Sequence, residues 1–275
     1  MSKAFQPVPS GVFLAERLSL SAKECNLQPH RNRYWLHPNI DNQPLFRQQS
    51  KNICAIYQQA LVLYNTGVHV VCTDELTGIQ ALERKLPTLP MRPGYVERQE
   101  FEYIRHGTQC LMANFSVATG SIIAPSILDT RKEDDFLSHI QQTVSTDPEA
   151  EWIFIVDQLN THKSESLVRF VASHCGIKDD LGIKAKEGIL KSMQTRATFL
   201  ADESHRIRFV YTPKHASWLN QVEIWFSILV RKLLRRASFS SKENLKGRIL
   251  QFIEYFNKTM AKPFKWTYTG TPLKA

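Results

Sequence analysis

Three acidic side chains occupy positions from which carboxylates can bind metal ions. Asp157 directly follows the apolar run 152–156, a pattern that predicts a buried strand with a carboxylate at its carboxyl end. Asp74 ends a similar β-branched run that begins at Val68. Glu223 lies among apolar residues at helical spacing, where an unpaired carboxylate is costly. Two strand-end aspartates and one helix glutamate are oxygen ligands of the kind that Mg²⁺ accepts.

Glu75 is the alternative to Asp74 as the first of these acids. Adjacent residues of a strand point to opposite faces of the sheet, so only one of the two side chains can face the site. The phase of the strand does not decide which one it is.

Polar and aromatic residues near the acids are further candidates. Asn160 and His162 lie just beyond Asp157, where they would hydrogen-bond a phosphate or a metal-bound water, or alternatively serve only as turn and capping residues. His215 is another candidate phosphate contact. Trp218 and Trp225 are predicted to be core aromatics rather than base-stacking platforms.

The charge of the chain indicates a polyanionic partner. The net charge is +9 and the isoelectric point is about 9.3. The segment from Arg206 to Arg248 contains ten Lys or Arg residues and only two Glu residues. Residues 1–51 contain seven Lys or Arg residues and three acidic residues. Four cations follow Glu223 by two to three helical turns: Arg231, Lys232, Arg235 and Arg236. They would reach the phosphates of a polyanionic partner; the alternatives are a solvated basic face or cations that favour a helix C-terminus.

The cysteines and the hydropathy pattern indicate a cytoplasmic protein. The five cysteines form no CxxC pair and their number is odd, so reduced thiols are expected rather than disulfides or a zinc site. No apolar run reaches the length of about 18 residues that a membrane span needs. The N-terminal residues do not resemble a signal peptide.

Periodicity predicts an α/β chain in the order β, β-β, α, β, α, β, α after a first helix. The predicted helices are 51–66, 132–146, 163–175, 217–236 and 241–257, and the predicted strands are 68–74, 109–118, 121–128, 152–156 and 207–212. The polar, proline-rich stretch 77–107 is predicted to be a long connection.

These motifs resemble those of the mariner-like bacterial insertion-sequence transposases, within the DDE transposase and integrase superfamily. The resemblance is carried by DQLNTH, which begins at Asp157, and by TPKHASWLNQVEIWF, which surrounds Glu223. It extends from about residue 65 to the C-terminus. The second and third acids are 223 − 157 = 66 positions apart, longer than is typical of the mariner group, so an insertion is expected at about 176–203.

The resemblance implies a ribonuclease-H-like mixed sheet flanked by helices, with a short helical N-terminal segment. Residues 1–50 would be the remnant of a helix-turn-helix DNA-binding region lacking its front part, with Arg31 and Arg33 in contact with DNA, and 51–275 would be the catalytic domain. A basic linker is the alternative for 27–38.

The implied activity is metal-dependent DNA cleavage and strand transfer of an insertion sequence. Asp74, Asp157 and Glu223 would hold two Mg²⁺ ions, with Mn²⁺ as a substitute. The implied partners are the double-stranded DNA of the element ends and of the target, bound by a homodimer in the bacterial nucleoid. Two alternatives remain: a catalytically silent or domesticated DNA-binding protein, and a ribonuclease-H-like nuclease without strand transfer.

Overall fold

The computed structural model describes residues 42–270. The chain divides after Ile40 into two units, and the described residues belong to the second, Asp41–Ala275. The predicted N-terminal segment therefore lies outside the described residues, and the domain boundary at residue 50 stays a prediction.

Six α-helices and five strands make up the described part of the chain. In chain order they are α1 (Gln43–Asn65), β1 (Val68–Arg84), β2 (Tyr103–Ser116), β3 (Ile122–Leu128), α2 (Glu133–Val144), β4 (Glu151–Val156), α3 (Glu165–His174), α4 (Met193–Leu200), β5 (Ile207–Tyr211), α5 (Val222–Leu229) and α6 (Lys242–Thr259). Three 3₁₀ turns, Asn160–Lys163, Ile189–Lys191 and Ser217–Leu219, and a π-helical segment, Val230–Leu234, complete them. No helix in this part of the chain is long and apolar enough to cross a membrane.

The strands form one mixed sheet in the order β3-β2-β1-β4-β5. β1 pairs with β2, and β2 with β3, in antiparallel fashion. β1 pairs with β4, and β4 with β5, in parallel. Helices cover both faces of the sheet, as the sequence predicted, because each strand alternates its side chains between two cores. Val70 and Cys72 contribute to the core that contains α1, α5 and α6, whereas Val71 contributes to the core that contains α2, α3 and α4.

The stretch predicted as a long connection is largely a two-stranded ribbon. β1 continues to Arg84 and pairs with β2, which begins at Tyr103, with Glu83 opposite Ile104. The prediction of an irregular 77–107 was wrong because the prolines occur only at the tip, 87–93, while Ile79 and Ala81 alternate with exposed or half-buried residues in the manner of a strand. The ribbon is anchored by a hydrogen bond from the Phe239 N–H to the Leu82 carbonyl, 2.8 Å long.

Two helices begin or end elsewhere than predicted. α1 begins eight residues earlier (51 − 43), since Asn42 caps it by accepting from the Leu45 N–H at 3.0 Å and a proline occupies the first turn. The helix predicted at 217–236 is divided into a 3₁₀ turn, α5 and the π segment.

The expected insertion packs onto the sheet. Leu190 and Leu200 are fully buried in the core of α2 and α3. Arg196 is also buried; its Nε donates to the Lys163 carbonyl at 2.6 Å and its Nη1 to the Leu190 carbonyl at 3.0 Å. The insertion therefore supports the turn that follows Asp157.

Candidate active site

The two aspartates lie at the same edge of the sheet because β1 and β4 are parallel neighbours. The pairing of Val68 with Glu151 and of Cys72 with Ile155 gives a constant offset of 83 residues. The same offset separates Asp74 from the residue directly after β4, since 157 − 74 = 83. Neighbouring strands are about 4.8 Å apart, so Asp157 follows β4 beside Asp74.

The alternation of β1 decides between Asp74 and Glu75. Val70 and Cys72 face the core that contains α5, and Asp74 continues that series two residues further on. Glu75 belongs to the opposite series, and its carboxylate contacts His162 instead. The alternative that the sequence left open is therefore resolved by position, with Asp74 on the face covered by the helix that carries Glu223.

Asp74 is a buried carboxyl, 7% exposed. Its Oδ1 accepts from the Glu75 N–H at 2.8 Å, and its Oδ2 accepts from Asn220 Nδ2 at 3.3 Å. The pKa of Asp74 is raised to about 7, first by burial and then by the negative charges of Asp157 and Glu223, against the lowering effect of the Glu75 N–H. Asp74 therefore lies close enough to both other acids to experience their charge.

Asp157 is oriented by a fully buried histidine. His162 Nδ1 lies 2.9 Å from Asp157 Oδ1, and its Nε2 lies 3.3 Å from Glu75 Oε1. The Phe136 ring packs on the imidazole with 4.2 Å between the ring centroids. Burial by itself would raise the pKa of Asp157, but the hydrogen bond and charge of His162 outweigh it and the pKa is lowered. The Asp157 carboxylate is thus ionised and fixed in direction.

The same contacts hold His162 as a cation. Burial would lower its pKa, yet hydrogen bonds from the imidazole to Asp157 and Glu75 raise the pKa to about 9. The prediction that His162 contacts DNA is corrected by this placement, because the side chain is 0% exposed and both ring nitrogens are engaged. Asn160 is exposed and opens the 3₁₀ turn that carries the histidine.

Glu223 lies in the first turn of α5 and is only half-buried. Burial and the charge of Asp157 raise the pKa of its carboxyl. No Lys or Arg of residues 42–270 forms an ion pair with it, although five ion pairs of Lys or Arg occur elsewhere among these residues. Among the residues that the structure describes, no Lys or Arg therefore holds Glu223 as part of a structural ion pair.

The donor set fits a divalent cation in its chemistry. Within the described residues, no three His, Cys, Asp or Glu side chains already converge closely enough to hold a metal ion. The three carboxylates nevertheless interact unfavourably, and the Oδ1 of Asn220 beside Asp74 is buried without a hydrogen-bond partner. A cation between Asp74, Asp157 and Glu223 would relieve their mutual repulsion.

The predicted DNA contacts other than His162 are at the surface or outside the described residues. His215 is exposed, with a positive φ of 61°, and the four cations after Glu223 are exposed as well. Arg31 and Arg33 lie outside the described residues. Trp225 is a fully buried core residue as predicted, but the prediction for Trp218 was wrong, because 46% of it is exposed and it packs edge-on against Tyr268 at 5.0 Å.

Sequence reasoning missed two residues that support the site. Asn220 ties the chain before Glu223 to β1, since its Nδ2 donates to the Thr73 carbonyl at 2.9 Å as well as to the Asp74 carboxylate. It belongs to the same unusual run as Glu223, so its position in the motif was the available signal. Arg196, more distant in sequence, gave no signal, because its partners are backbone carbonyls.

Solved structures with a similar fold are complexes and domains of the Mos1 mariner transposase. A Mos1 mariner paired-end complex with Mn matches with a TM-score of 0.51 at 13% identity, over 87% of this chain and 63% of that chain. The isolated Mos1 catalytic domain matches with a TM-score of 0.44 at 11% identity, over 80% of this chain and 85% of that chain. The chain thus spans less than two thirds of the longer Mos1 protein, and at these identities the likeness concerns the fold.

The sequence itself matches one family model. No curated protein matches the chain. The model that does match describes the DDE superfamily endonucleases and covers residues 69–246, a segment that contains Asp74, Asp157 and Glu223. Because this match extends over more than half of the 275 residues, the chain belongs to the DDE superfamily of endonucleases.

Proposed function

We propose that this chain is a DNA transposase that cleaves the ends of an insertion sequence and joins them to target DNA. The observation that carries the proposal is the placement of Asp74 and Asp157 in register at one sheet edge, with Glu223 on the helix covering the same face. Membership of the DDE superfamily supports the same activity.

The three acids are proposed as the ligands of two divalent ions, Mg²⁺ with Mn²⁺ as a substitute. When bound there, such a pair activates an attacking oxygen and stabilises the leaving oxygen of an in-line displacement at phosphorus. Asp157 is the ionised, oriented member of the set, because His162 lowers its pKa and fixes its Oδ1. Asp74 is the member whose charge is most costly without a cation.

Two displacements account for the reaction. In the first, water attacks a phosphodiester, the P–O3′ bond breaks, and the strand ends in a free 3′-hydroxyl. In the second, that hydroxyl attacks a phosphodiester of the target, a new P–O bond forms and the target's own 3′-oxygen leaves. One phosphoester bond is made for the one broken in the second step, so joining needs no external energy source.

The proposed partners are double-stranded element ends and target DNA. Phosphate contacts from His215, Arg231, Lys232, Arg235 and Arg236 would position them, together with Arg31 and Arg33 of the 1–50 region. The Mos1 protein of the matched structures forms a paired-end complex. By extension we propose that two copies of this chain assemble on DNA, in the cytoplasm at the nucleoid.

A cleavage and joining assay tests the proposal. The full chain is incubated with labelled DNA carrying the sequences that flank its own gene, with Mg²⁺, Mn²⁺ or neither. Metal-dependent nicking at the element end followed by joined product is expected, and Asp157→Asn abolishes both. Asp134→Asn, which removes an exposed carboxylate of α2, is the matched control and retains activity.

The outcomes separate the alternatives. Nicking without joined product would indicate a nuclease that does not transfer strands. Specific DNA binding without any nicking would indicate a catalytically silent DNA-binding protein. Equal activity of Asp157→Asn and the unchanged chain would refute the assignment of the active site to these three acids.

A further inference from the structure

The cations after Glu223 are divided between two grooves. One groove, here called the acid groove, is lined by Glu223, Ser227, Val230, Arg231 and Arg235 together with apolar residues. The other, here called the aromatic groove, has a volume of about 690 Å³ and is lined by Ile228, Arg231, Lys232, Arg236, Phe252 and Tyr255. Only Arg231 lines both grooves, so the two are contiguous along this part of the surface.

The π segment causes this division. The Arg235 N–H donates to the Val230 carbonyl at 2.9 Å, a bond that spans five residues rather than four. In a regular α-helix, Arg235 would be rotated by about 120° from Glu223, twelve residues earlier. One extra residue in the widened turn reduces that angle to about 20°. Arg235 therefore returns to the side of Glu223, while Lys232 and Arg236 line the other groove.

The aromatic groove combines unpaired positive charge with an exposed ring. Arg231, Lys232 and Arg236 form no ion pair with any acid among residues 42–270. The Nε of Arg231 donates to the Ser227 carbonyl at 3.1 Å, which directs the side chain and leaves its terminal NH₂ groups for a ligand. Tyr255 is 57% exposed, and no acidic residue lines the groove.

We propose that the aromatic groove binds a single-stranded segment of DNA. The three cations hold successive phosphates, and the Tyr255 ring stacks on an unpaired base, with Phe252 beside it. Charge complementarity identifies the polyanion, and the aromatic ring selects a strand whose bases are free to stack, because a base inside a duplex is already stacked on both faces. The groove is also within the size range of pockets that bind small ligands of nucleotide size.

This inference rests on the proposed function for the identity of the nucleic acid, but binding can be measured without catalysis. Through Arg231 the strand continues from the acid groove into the aromatic groove. The aromatic groove therefore takes a strand segment next to the reacting phosphodiester.

Fluorescence anisotropy on the full chain in EDTA tests the proposal. The probes are a labelled single-stranded oligonucleotide and its duplex. Tyr255→Leu is expected to weaken single-strand binding about tenfold, within the range of one lost stacking contact, and to leave duplex binding within about twofold. Tyr255→Phe keeps the ring and retains both affinities. Arg236→Gln weakens single-strand binding by a similar factor, with a shallower salt dependence.

Lys246→Gln is the matched control for the loss of charge. Lys246 is exposed on α6, nine residues before Tyr255 (255 − 246). At about 100° per residue, it lies on the opposite side of the helix from Tyr255. A Lys246→Gln effect equal to that of Arg236→Gln would overturn the proposal, since it would indicate unspecific attraction. Equal losses for single strand and duplex with Tyr255→Leu, or no loss with either, would overturn it as well.

A second measurement leaves the protein unchanged. Single abasic sites are moved along the oligonucleotide, and the loss of affinity is expected at one or two positions only. A uniform response along the strand would contradict a stacked base. Because neither measurement needs metal or cleavage, a failed nicking assay leaves this result interpretable, and a failed binding result does not affect the assignment of the three acids.

Discussion

Asp74→Asn is expected to stabilise the metal-free protein at alkaline pH. Burial and the neighbouring negative charges raise the pKa of Asp74 from 3.8 to about 7, whereas in the unfolded chain its pKa is expected near 3.8. The folded state therefore binds this proton more tightly, so its contribution is fully present below about pH 4 and is lost as the pH rises through 7. The difference corresponds to about 4 kcal/mol at pH 8.

The asparagine removes that penalty and keeps most of the contacts. Its Oδ1 still accepts from the Glu75 N–H, but its Nδ2 replaces the oxygen that accepts from Asn220 Nδ2, so this one hydrogen bond is lost. A gain of up to about 4 kcal/mol corresponds to an increase in Tm of up to about 10 °C for a chain of this size.

Thermal unfolding in EDTA at pH 5 and at pH 8 measures the effect. The variant is expected to exceed the unchanged protein in Tm at pH 8 and to differ from it much less at pH 5. Added Mg²⁺ is expected to raise the Tm of the unchanged protein at pH 8 and to have a smaller effect on the variant. A variant that is less stable at pH 8, or a Tm difference that does not change with pH, would refute the reasoning about a desolvated carboxyl that repels its neighbours.

Three further substitutions test the remaining features. Glu223→Gln is expected to abolish Mg²⁺-dependent cleavage by orders of magnitude while the Tm in EDTA holds or rises; retained cleavage with a lower Tm would make Glu223 a scaffold residue. The double variant Arg231→Ala, Arg235→Ala is expected to weaken duplex DNA binding and to lower the slope of log K against log salt by about two; an unchanged slope would exclude phosphate contacts by this pair. His162→Asn is expected to cost about 3–5 kcal/mol in a denaturation experiment, because it leaves the two carboxylates on either side without their buried cation; a loss below about 1 kcal/mol would contradict the charged state inferred for the imidazole.

The sequence by itself predicted the fold class and singled out Asp157, Glu223 and the pair Asp74 and Glu75 as candidate acids. Alternation and helical spacing predicted the order of strands and helices, because both depend only on which face of an element is buried. The run around Glu223 is long and unusual enough to identify the superfamily, and the family match at 69–246 supports that identification. What residues 1–41 contribute remains a prediction from sequence.

The tertiary structure decided which neighbours each functional side chain has. The choice of Asp74 over Glu75 depended on the face that α5 covers, and a strand read alone does not contain that information. The sequence predicts His162 as a phosphate contact or a turn residue, because its actual partners, Asp157 and Glu75, are 5 and 87 positions away and the second is a tertiary contact. The prolines at the tip of the ribbon led to the prediction of an irregular connection. The sequence does not reveal the ribbon, because the pairing between β1 and β2 is a non-local interaction.

The π segment illustrates the same limit within a single helix. The residues from Val222 to Arg236 predict a continuous helix, and nothing in their spacing indicates a widened turn. The hydrogen bond from Arg235 to Val230 forms in the folded chain, where α5 packs against the sheet and α6. The sequence therefore determines which cations are present, and packing decides which of them line the acid groove and which line the aromatic groove.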